Sequence, residues 1–402
     1  MQPLLLLTHR IPYPPDKGDK IRSFHWLQNL ARHYRIQLGT FLDDPEDRQY
    51  LPEVRRYCER LQVTEVNPRW RRLGSLRGLF GHAPLSLTYY RDPALGHWID
   101  ETVAATGARR VLAFSSTTAQ YITGPRFEGM RRVVDFVDVD SAKWRAYAES
   151  RPGLRGALYA RESRTLEWFE RGVARRVDAS VFVSEAEAAL FRQLPGVPGP
   201  RVHAIGNGVD TAFFTPAAAG ANPYPGAGPA LVFTGAMDYL ANVDAVTWFA
   251  RNVLPSVQLR VPDASFFIVG ARPAPAVQRL AALPGVHVTG RVPDVRPWLA
   301  HAALAVAPLR IARGVQNKVL EAMAMGRPVL ATAAALEGLA LAPALEAAMS
   351  ATEAGYADRI THWLTATPAA RESLGLSARQ HVLQHHRWDA SVAQMINLLE
   401  AA

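Results

Sequence analysis

The chain contains 402 residues, which is enough for two or three domains of about 150 residues each. Hydrophobic residues make up 49% and charged residues 20%, a balance that excludes a disordered chain and a fibrous repeat. The formal net charge is +9, and it comes almost entirely from arginine because only four lysines are present. Arginine suits paired contacts with phosphate and carboxylate groups, but codon bias explains such an excess equally well.

Cysteine content and apolar stretches bear on where the protein works. Cys58 is the single cysteine, which excludes an intramolecular disulfide and any metal site built on several cysteines. The apolar run at residues 4–7 is too short for a signal peptide, and no uncharged apolar stretch reaches the length of a membrane span. We therefore expect a cytoplasmic protein, with peripheral contact at the inner face of the cytoplasmic membrane left open.

The first half of the chain alternates predicted strands and helices. Strands are predicted at 4–8, 36–41, 109–115, 132–137 and 179–183. Apolar residues at helical spacing predict a helix through Ile21, Phe24, Leu27 and Leu30. Further helices are predicted at 163–174 and 185–194, the second with Ser184 as its N-cap. This alternation predicts a parallel sheet covered by helices on both faces.

The composition changes between residues 195 and 229, where proline and glycine cluster, and this change predicts a domain boundary. We place the first domain at 1–198 and the second at 199–385. Two α/β domains in series predict a ligand at the carboxyl ends of the strands, in a cleft between the domains. In the second domain the predicted strands are 230–234, 265–269, 286–289, 304–307 and 329–332, and the predicted helices are 243–253, 295–301 and 316–325.

The most informative stretch is 308–329, where a strand ends in a basic loop and a helix begins. Free N–H groups at the start of that helix, together with nearby cations, predict a site for an anion. Glu321 lies about one turn inside the helix, where its carboxylate could accept hydrogen bonds from two sugar hydroxyls. An ordinary helix surface with a Lys318–Glu321 pair is the alternative. The other residues assigned to this predicted site are Arg310, Arg313, Asn317 and Lys318.

Several segments resemble the pattern of glycosyltransferase family 4, in the family's order and at its spacing. In the second domain they are 207–210 (Asn-Gly-Val-Asp), 234–235, 289–292 and 320–329. In the first domain, segments 10–15, 17–22 and 138–144 resemble a subgroup of sugar transferases associated with bacterial exopolysaccharide and exosortase (PEP-CTERM) gene clusters. With that subgroup the similarity covers nearly the whole chain.

The resemblance implies the GT-B fold, an α/β architecture of two Rossmann-like, doubly wound parallel-sheet domains that face a central cleft. It also implies a C-terminal helix, at about 386–402, that crosses back to the first domain. A nucleotide-diphosphate sugar donor and retention of the anomeric configuration are further expectations. No metal ion and no cofactor are expected.

The family's binding residues carry over at five positions. Glu321 matches the second of the family's paired glutamates, which holds the donor ribose. Gly18 matches the glycine-rich first loop, which approaches the donor phosphates and the acceptor. Arg291 and Val292 match the segment against the nucleobase, and Gly235 matches the glycine that ends the first strand of the donor domain.

Three departures from the family pattern affect the expected chemistry. Arg313 stands where the first of the paired glutamates belongs. The basic pair that often follows Gly235 is missing from 236–242. A departing diphosphate must still be neutralised, so we expect the basic loop at 308–318 to supply that charge instead. An exposed Arg313 without a role, or a loss of activity, are the alternatives.

The third departure concerns the first domain, where the family's histidine after strand 132–137 is absent and Asp138 and Asp140 stand near its place. Either carboxylate could contact a sugar hydroxyl or serve as a base for the acceptor hydroxyl. The alternative is a capped turn, with Asp140 or Ser141 as the N-cap of the following helix. Asp138, Asp140 and Arg313 are therefore the predicted catalytic residues.

Two further clusters have the composition of binding sites. His381, His385 and His386 have a spacing that suggests a metal site, but no glutamate partner accompanies them, so we expect a solvated helix surface. Segment 68–80 mixes four arginines with Trp70, Leu76, Leu79 and Phe80. This composition is typical of stretches that bind anionic lipid, although a loop covering the first domain's core is an equal alternative. No recognised nucleic-acid motif accompanies it.

The sequence therefore predicts a retaining, metal-independent glycosyltransferase of bacterial surface or exopolysaccharide biosynthesis. Its expected partners are a nucleotide-sugar donor and a glycan or lipid-linked acceptor, with peripheral contact to anionic membrane and none to nucleic acid. A nucleotide-sugar epimerase of the same fold is one alternative, and it would need an acid/base pair such as Asp138 and Asp140. A catalytically inactive nucleotide-sugar-binding partner is the other, and Arg313 supports it.

Overall fold

A computed structural model describes residues 1–15, 18–66, 83–149, 153–226, 228–312 and 315–401. The chain divides into two compact units. Unit 1 contains Met1–Ile205 together with Ser391–Ala402, and unit 2 contains Gly206–Ala390. Because residues 391–402 belong to unit 1, the end of the chain returns to the unit in which the chain begins.

Unit 1 is built on a parallel sheet whose described strands number seven. Their order is β3-β2-β1-β4-β5-β6-β7, and each neighbouring pair runs parallel. The order therefore reverses between β1 and β4, where parallel α/β sheets usually bind ligands. The strands are β1 (Gln2–Thr8), β2 (Tyr34–Leu42), β3 (Arg60–Glu65), β4 (Arg110–Phe114), β5 (Arg131–Val137), β6 (Ala179–Phe182) and β7 (Val202–Ala204).

Helices connect the strands of unit 1. Short 3₁₀ helices lie at Pro45–Tyr50, Pro125–Phe127 and Gly199–Arg201. The α-helices are α1 (Gly18–Leu30), α2 (Leu51–Arg55), α3 (Leu85–Tyr89), α4 (Pro93–Thr106), α5 (Ser116–Ala119), α6 (Asp140–Glu149), α7 (Leu154–Ala174) and α8 (Glu185–Arg192).

Unit 2 contains a parallel sheet with five described strands in the order β10-β9-β8-β11-β12. The strand order of this sheet reverses between β8 and β11. The strands are β8 (Ala230–Thr234), β9 (Ser265–Val269), β10 (Val286–Gly290), β11 (Leu304–Ala307) and β12 (Val329–Ala331).

The helices of unit 2 pack around this sheet. A π-helical turn at Phe249–Val253 joins two of them, and 3₁₀ turns lie at Pro216–Ala218 and Arg279–Ala282. The helices are α9 (Leu240–Trp248), α10 (Leu254–Gln258), α11 (Pro275–Gln278), α12 (Arg296–His301), α13 (Asn317–Ala324), α14 (Ala333–Leu336), α15 (Pro343–Met349), α16 (Tyr356–Thr365) and α17 (Pro368–His385). The last helix is α18 (Trp388–Glu400), most of which belongs to unit 1.

Burial explains why these runs form strands. Leu4, Leu5, Leu6 and Leu7 in β1 are buried side by side, as expected of a parallel strand covered on both faces. The central strands of unit 2, β8 and β11, are likewise fully buried. The predicted fold class, two Rossmann-like α/β domains, is confirmed.

Several elements differ from their predicted bounds. Strand β3 was not predicted, because it lies at the sheet edge and its side chains are mostly partly exposed. Helix α7 begins nine residues before its predicted start, at Leu154 rather than 163. The predicted helix 243–253 is divided between α9 and the π-helical turn. The short strand β7 pairs with β6, so residues 202–204 lie in unit 1.

Candidate active site

Three adjacent strands of unit 2 end at glycines. Gly235 follows β8, Gly270 follows β9 and Gly290 ends β10, and the Gly270 N–H donates to the Gly290 carbonyl at 3.1 Å. A Cβ atom on Gly270 would overlap the carbonyl oxygen of Gly235. The backbones therefore approach more closely than any residue with a side chain allows. We call Gly235, Gly270 and Gly290 the glycine edge.

Helix α13 follows the loop after β11. Strand β11 lies next to β8, and the strand order of the sheet reverses between these two strands. Its N-cap, Gln316, makes no side-chain hydrogen bond to the first turn. The Val319 N–H donates to the Gln316 carbonyl at 2.9 Å, and the first turn lies at the positive end of the helix dipole, which favours an anion. The Asn317 side-chain oxygen accepts a hydrogen bond from Asn207 Nδ2 at 3.0 Å, which ties the Asn-Gly-Val-Asp segment to the start of α13.

Lys318 brings a cation to the glycine edge. Its Nζ donates to Asn242 Oδ1 at 2.6 Å and lies 4.5 Å from the centre of the Phe233 ring. A Cβ on Gly235 would lie 3.5 Å from Lys318 Cε, so the lysine runs alongside the end of β8. Burial lowers the pKa of Lys318 to about 8, although the charge of Glu321 opposes that shift. The positive charge of the Lys318 amine is therefore only partly compensated, and its pKa lies close to neutral pH.

Glu321 lies one turn beyond Lys318 on α13 and is half-buried. Burial raises the pKa of Glu321 to about 7, and the charge of Lys318 works against the increase. The two groups therefore titrate around neutral pH and depend on each other's charge. A ligand that carries negative charge to Lys318 or donates hydrogen bonds to Glu321 would stabilise the charged form of each.

The remaining residues predicted to bind the donor lie in the basic loop at 308–318 and in the segment expected against the nucleobase. Arg310 is paired with Asp244, with 3.0 Å between Nε and Oδ2, and it also lies 4.0 Å from Glu353. These carboxylates therefore compensate most of the positive charge of Arg310. Arg313 lies outside the described residues. Arg291 is exposed directly after the glycine edge, and Val292 packs partly against the core of unit 2.

Arg10, Lys20 and Arg22, in the described part of the first loop and α1, form ion pairs inside unit 1. Arg22 is buried against Asp135 of β5 at 2.7 Å, and Trp26 Nε1 donates to the same carboxylate at 2.7 Å. Gly18 is the first residue of α1 and is exposed. The ion pairs fix the loop and the helix on the sheet rather than offering charge to phosphates. The remaining pairs are Arg10–Asp19, Arg10–Asp43 and Lys20–Asp47.

The end of β5 is a strained turn that presents Asp138. Val137 has a φ of +70°, a conformation that a β-branched residue rarely adopts. Asp135 Oδ1 accepts from the Val137 N–H at 3.2 Å, and the Asp138 N–H donates to the Phe136 carbonyl at 2.9 Å. Such strain persists only where the surroundings enforce it, and it is often found at functional sites.

Asp138 and Asp140 differ in their surroundings. The Asp140 carboxylate accepts from Ser116 Oγ at 2.7 Å, and Asp140 is the first residue of α6. Burial raises the pKa of Asp138 to about 6; Lys143 opposes this, Glu187 and Asp140 reinforce it, and Arg22 opposes it. Asp138 is thus suited to exchange a proton near neutral pH.

Two parts of the chain match family models. Residues 228–365 match the model described as "Glycosyl transferases group 1", and residues 146–213 match the model described as "Glycosyltransferase Family 4". Over these two stretches the chain is similar to glycosyltransferases of group 1 and of family 4. The exopolysaccharide and exosortase subgroup stays a prediction.

Solved structures with the same fold include several glycosyltransferases. Sucrose-phosphate synthase from Thermosynechococcus elongatus is 18% identical at a TM-score of 0.72, over 99% of this chain and 98% of that one. WaaG, a glycosyltransferase involved in lipopolysaccharide biosynthesis, is 17% identical at a TM-score of 0.68, over 99% and 100%. HepE from Anabaena, solved with UDP-glucose, is 13% identical at 0.67, over 100% of both chains. No curated protein matches the chain significantly. Identities this low show the GT-B fold alone.

The sequence analysis did not identify the residues that position Lys318 and the turn at Asp138. Glu187 lies three residues after Ser184, a spacing typical of a capping box, yet its Oε2 accepts from the Val139 N–H at 2.7 Å. Asn242, which holds Lys318, has no signal in the sequence beyond its place after Gly235. His9 follows β1, and its Nε2 lies 3.4 Å from Asp19 Oδ2.

Of the three C-terminal histidines, His385 is exposed, as predicted, whereas His381 is half-buried and His386 is buried, which corrects the prediction for these two. Nε2 of His381 and Nε2 of His386 lie 2.9 Å and 3.2 Å from the Leu339 carbonyl oxygen. Burial lowers the pKa of both imidazoles. They pack α17 against the loop that follows α14. Among the described residues, no group of three or more His, Cys, Asp and Glu side chains is arranged to hold a metal ion.

The membrane prediction rests on segment 68–80, which lies outside the described residues. In the part of the chain that the structure describes, no helix is both long enough and apolar enough to cross a membrane.

Proposed function

We propose that the chain is a retaining, metal-independent glycosyltransferase of bacterial surface or exopolysaccharide biosynthesis. It would move a sugar from a nucleotide-diphosphate sugar to a glycan or lipid-linked acceptor. The observation that carries the proposal is that Lys318, in the first turn of α13, lies against the glycine edge. HepE, solved with UDP-glucose, and WaaG, involved in lipopolysaccharide biosynthesis, have the same fold and support the substrate class.

The donor diphosphate would lie against the glycine edge, where the three glycines themselves add no side chain to its path. Lys318 and the amides of α13 would neutralise the charge that grows on the diphosphate as the bond to the sugar breaks. These groups supply from the protein the charge that a metal ion supplies in other transferases. Glu321 would accept hydrogen bonds from the ribose hydroxyls, as the family resemblance implies.

The acceptor chemistry is assigned to unit 1. Asp138 would accept a hydrogen bond or a proton from the acceptor hydroxyl, because its carboxylate ionises near pH 6. In the reaction, the bond from the sugar to the diphosphate oxygen breaks and a bond to the acceptor oxygen forms. Retention of configuration is supported by the family resemblance.

A donor panel tests the proposal directly. Purified protein is screened by thermal shift against UDP, GDP, ADP and dTDP sugars, and the donor that stabilises it is then incubated with glycan and lipid-linked acceptors. We expect release of nucleotide diphosphate together with a glycosylated product whose anomeric signal matches that of the donor. An inverted product would contradict retention, and stabilisation by none of the donors would contradict the proposal as a whole.

An inactive nucleotide-sugar-binding partner is the second candidate. Two observations favour it: Arg313 replaces a family glutamate, and Arg310 is matched by Asp244 instead of being open to a phosphate. The same panel separates the two functions. Donor binding without release of nucleotide, with every acceptor and after long incubation, would indicate the inactive partner.

A further inference from the structure

In unit 2, the turn after β9 is bonded to the segment that follows β8. The Met237 N–H donates to the Ala271 carbonyl at 2.9 Å, and the Ala274 N–H donates to the Met237 carbonyl at 3.0 Å. Both stretches start at the glycine edge, since Gly235 begins one of them and Gly270 begins the other. The two turns therefore lie side by side at the carboxyl ends of their strands.

Arg272, in the turn after β9, has a strained backbone. Its φ is +54°, in the left-handed region that residues with a side chain seldom adopt. Such strain persists where the surroundings enforce it, and it is frequent where proteins hold ligands. Glycine would adopt the same conformation without strain. The backbone thus favours glycine at this position, and the presence of arginine points to a use for its guanidinium.

The side chain of Arg272 extends toward the segment after β8. Its Nε lies 3.4 Å from Asp238 Oδ2, and the two side chains are 39% and 45% exposed. An ion pair this long and this exposed is weak, because water screens both charges. Strands β8 and β10 lie on opposite sides of β9, so the guanidinium extends away from the segment expected against the nucleobase, Arg291 and Val292.

The glycine edge needs more positive charge than Lys318 provides if a diphosphate binds there. A nucleoside diphosphate carries two or more negative charges, whereas Lys318 brings one amine, whose pKa burial lowers to about 8. Residues 236–242 include no lysine or arginine, and Arg310 is paired with Asp244. Arg272 brings a second cation to the same edge from the neighbouring strand.

We propose that Arg272 binds the terminal phosphate of the donor's nucleoside diphosphate, which replaces Asp238 as its partner. A phosphate carries more charge than a carboxylate and accepts two parallel hydrogen bonds from one guanidinium, so it competes well with a pair separated by 3.4 Å. The inference rests on the proposed function. It extends that function by a residue on a different strand from the one where the family resemblance places a basic pair.

Calorimetry with a diphosphate and a monophosphate of one nucleoside tests the assignment. UDP and UMP are the probes, or the matching pair if the donor panel selects another base. Arg272→Gln should weaken UDP binding about tenfold, through the loss of a charge-assisted hydrogen bond, and UMP binding by less than about twofold. Arg279→Gln, which removes an exposed arginine elsewhere in unit 2, is the control and should change neither affinity.

Two further variants separate phosphate binding from a structural role of the ion pair. Arg272→Gly relieves the backbone, so its unfolding midpoint in denaturant should not fall, while its UDP affinity should drop about tenfold. Asp238→Asn removes the competing carboxylate and should raise UDP affinity about threefold, since an exposed ion pair is worth about that factor. A purely structural pair would make both variants less stable and leave the UDP affinity of neither one higher.

The outcomes distinguish this inference from the proposed function. Equal UDP affinity in the wild type and in Arg272→Gln would overturn the inference and leave the proposed function standing. Equal loss of UDP and UMP affinity would also overturn it, as would weaker UDP binding in Asp238→Asn. If the wild type bound no nucleoside diphosphate of the panel, the proposed function itself would be contradicted, and this inference with it.

Discussion

Lys318 and Glu321 are held close to their titration points at neutral pH. Burial lowers the pKa of the amine to about 8 and raises the pKa of the carboxyl to about 7. A diphosphate bound beside Lys318 would raise that pKa again. We therefore expect donor binding to take up a proton near pH 8, and donor affinity to fall as the pH rises above 8.

Calorimetry in two buffers with different ionisation enthalpies measures this uptake of protons. Lys318→Met should weaken donor binding and remove the fall in affinity above pH 8, because the titrating amine is gone. Arg279→Met, in an exposed 3₁₀ turn of unit 2, is the control and should bind as the wild type does. An affinity that is flat from about pH 7 to 9 in the wild type would place the diphosphate away from Lys318.

Glu321 is predicted to contribute to donor affinity through its oxygen atoms. Glu321→Ala should weaken nucleotide-sugar binding by about 1.5–3 kcal/mol, from the loss of hydrogen bonds to a charged acceptor. Glu321→Gln keeps one acceptor oxygen and should lose less. Calorimetry with the matching free nucleoside diphosphate measures this loss without any contribution from the transferred sugar, and unchanged affinity in Glu321→Ala would remove this residue from the site.

The turn at Asp138 makes a prediction about the pH dependence of turnover. If the Asp138 carboxylate must be ionised, kcat/KM should rise with pH through an apparent pKa near 6. Glu187 raises the pKa of Asp138 through its charge, so Glu187→Gln should move that rise to lower pH. The amide oxygen can still accept the Val139 N–H, which preserves the turn.

Initial rates across about pH 4.5 to 8 measure the position of this rise, and Asp138→Asn should abolish it along with most of the turnover. Glu185→Gln, an exposed residue on the same helix α8, is the matched control and should leave the profile in place. A wild-type profile without a rise near pH 6 would show that Asp138 does not titrate in the reaction.

Residue type and spacing predicted the chemistry of single positions but not their partners. Asp138 was singled out because it stands near the place of the family's absent histidine, and Lys318 because it lies at the start of the helix that follows the basic loop. Asn242 and Glu187 were missed because their contacts join elements that are far apart in the chain, Lys318 in one case and Val139 in the other. Arg10 and Lys20 resemble phosphate-binding residues until the acids that neutralise them, Asp43 and Asp47, are located.

The glycine edge shows what the ends of parallel strands require. Gly270→Ala places a methyl group on the Gly235 carbonyl, which the two backbones can relieve only by moving apart. We expect a loss of about 1–3 kcal/mol in the free energy of unfolding, together with a marked loss of donor binding. Chemical denaturation and calorimetry measure the two effects.

The same substitution at Gly96 serves as the control. Gly96 lies inside α4, and a Cβ atom added there would have nothing within 4 Å, so Gly96→Ala should raise stability by about 0.5–1 kcal/mol. Donor binding should be unaffected by this variant. If Gly270→Ala were as stable and as active as Gly96→Ala, close approach of the backbones would not explain the glycine edge.

Periodicity predicted buried elements well and edge elements poorly. The strand β9 was predicted at its observed bounds because its apolar run is continuous and buried on both faces. Strand β3 escaped prediction because Arg60–Glu65 mixes polar and apolar residues at the rim of the sheet. The first turns of α7 escaped as well, since Gly156 and several arginines interrupt the apolar pattern there.

At the scale of the whole molecule, α18 makes the last residues of the chain part of unit 1. The Arg131 Nε donates to the Leu398 carbonyl at 2.7 Å and the Arg110 Nε to the Leu399 carbonyl at 3.1 Å. Arginine side chains from β5 and β4 thus cap the C-terminal end of α18, where the helix dipole favours cations. The family resemblance predicted that this helix crosses back, but its partners on β4 and β5 depend on the register of the sheet and could not be predicted from sequence.

This arrangement predicts that a change in α18 weakens unit 1 without affecting donor binding in unit 2. Met395 is completely buried, so Met395→Ala should lower the stability of unit 1 by about 2–5 kcal/mol through loss of packing and the cavity left behind. Hydrogen exchange measured by mass spectrometry should become faster in peptides of β1, β4 and β5. Exchange in peptides of β8 and β11 and the affinity for nucleotide should not change.

Gln394→Ala, on the exposed side of the same helix, controls for the loss of side-chain atoms. Faster exchange spread equally over both units would mean that α18 stabilises the chain as a whole rather than the unit to which its residues belong.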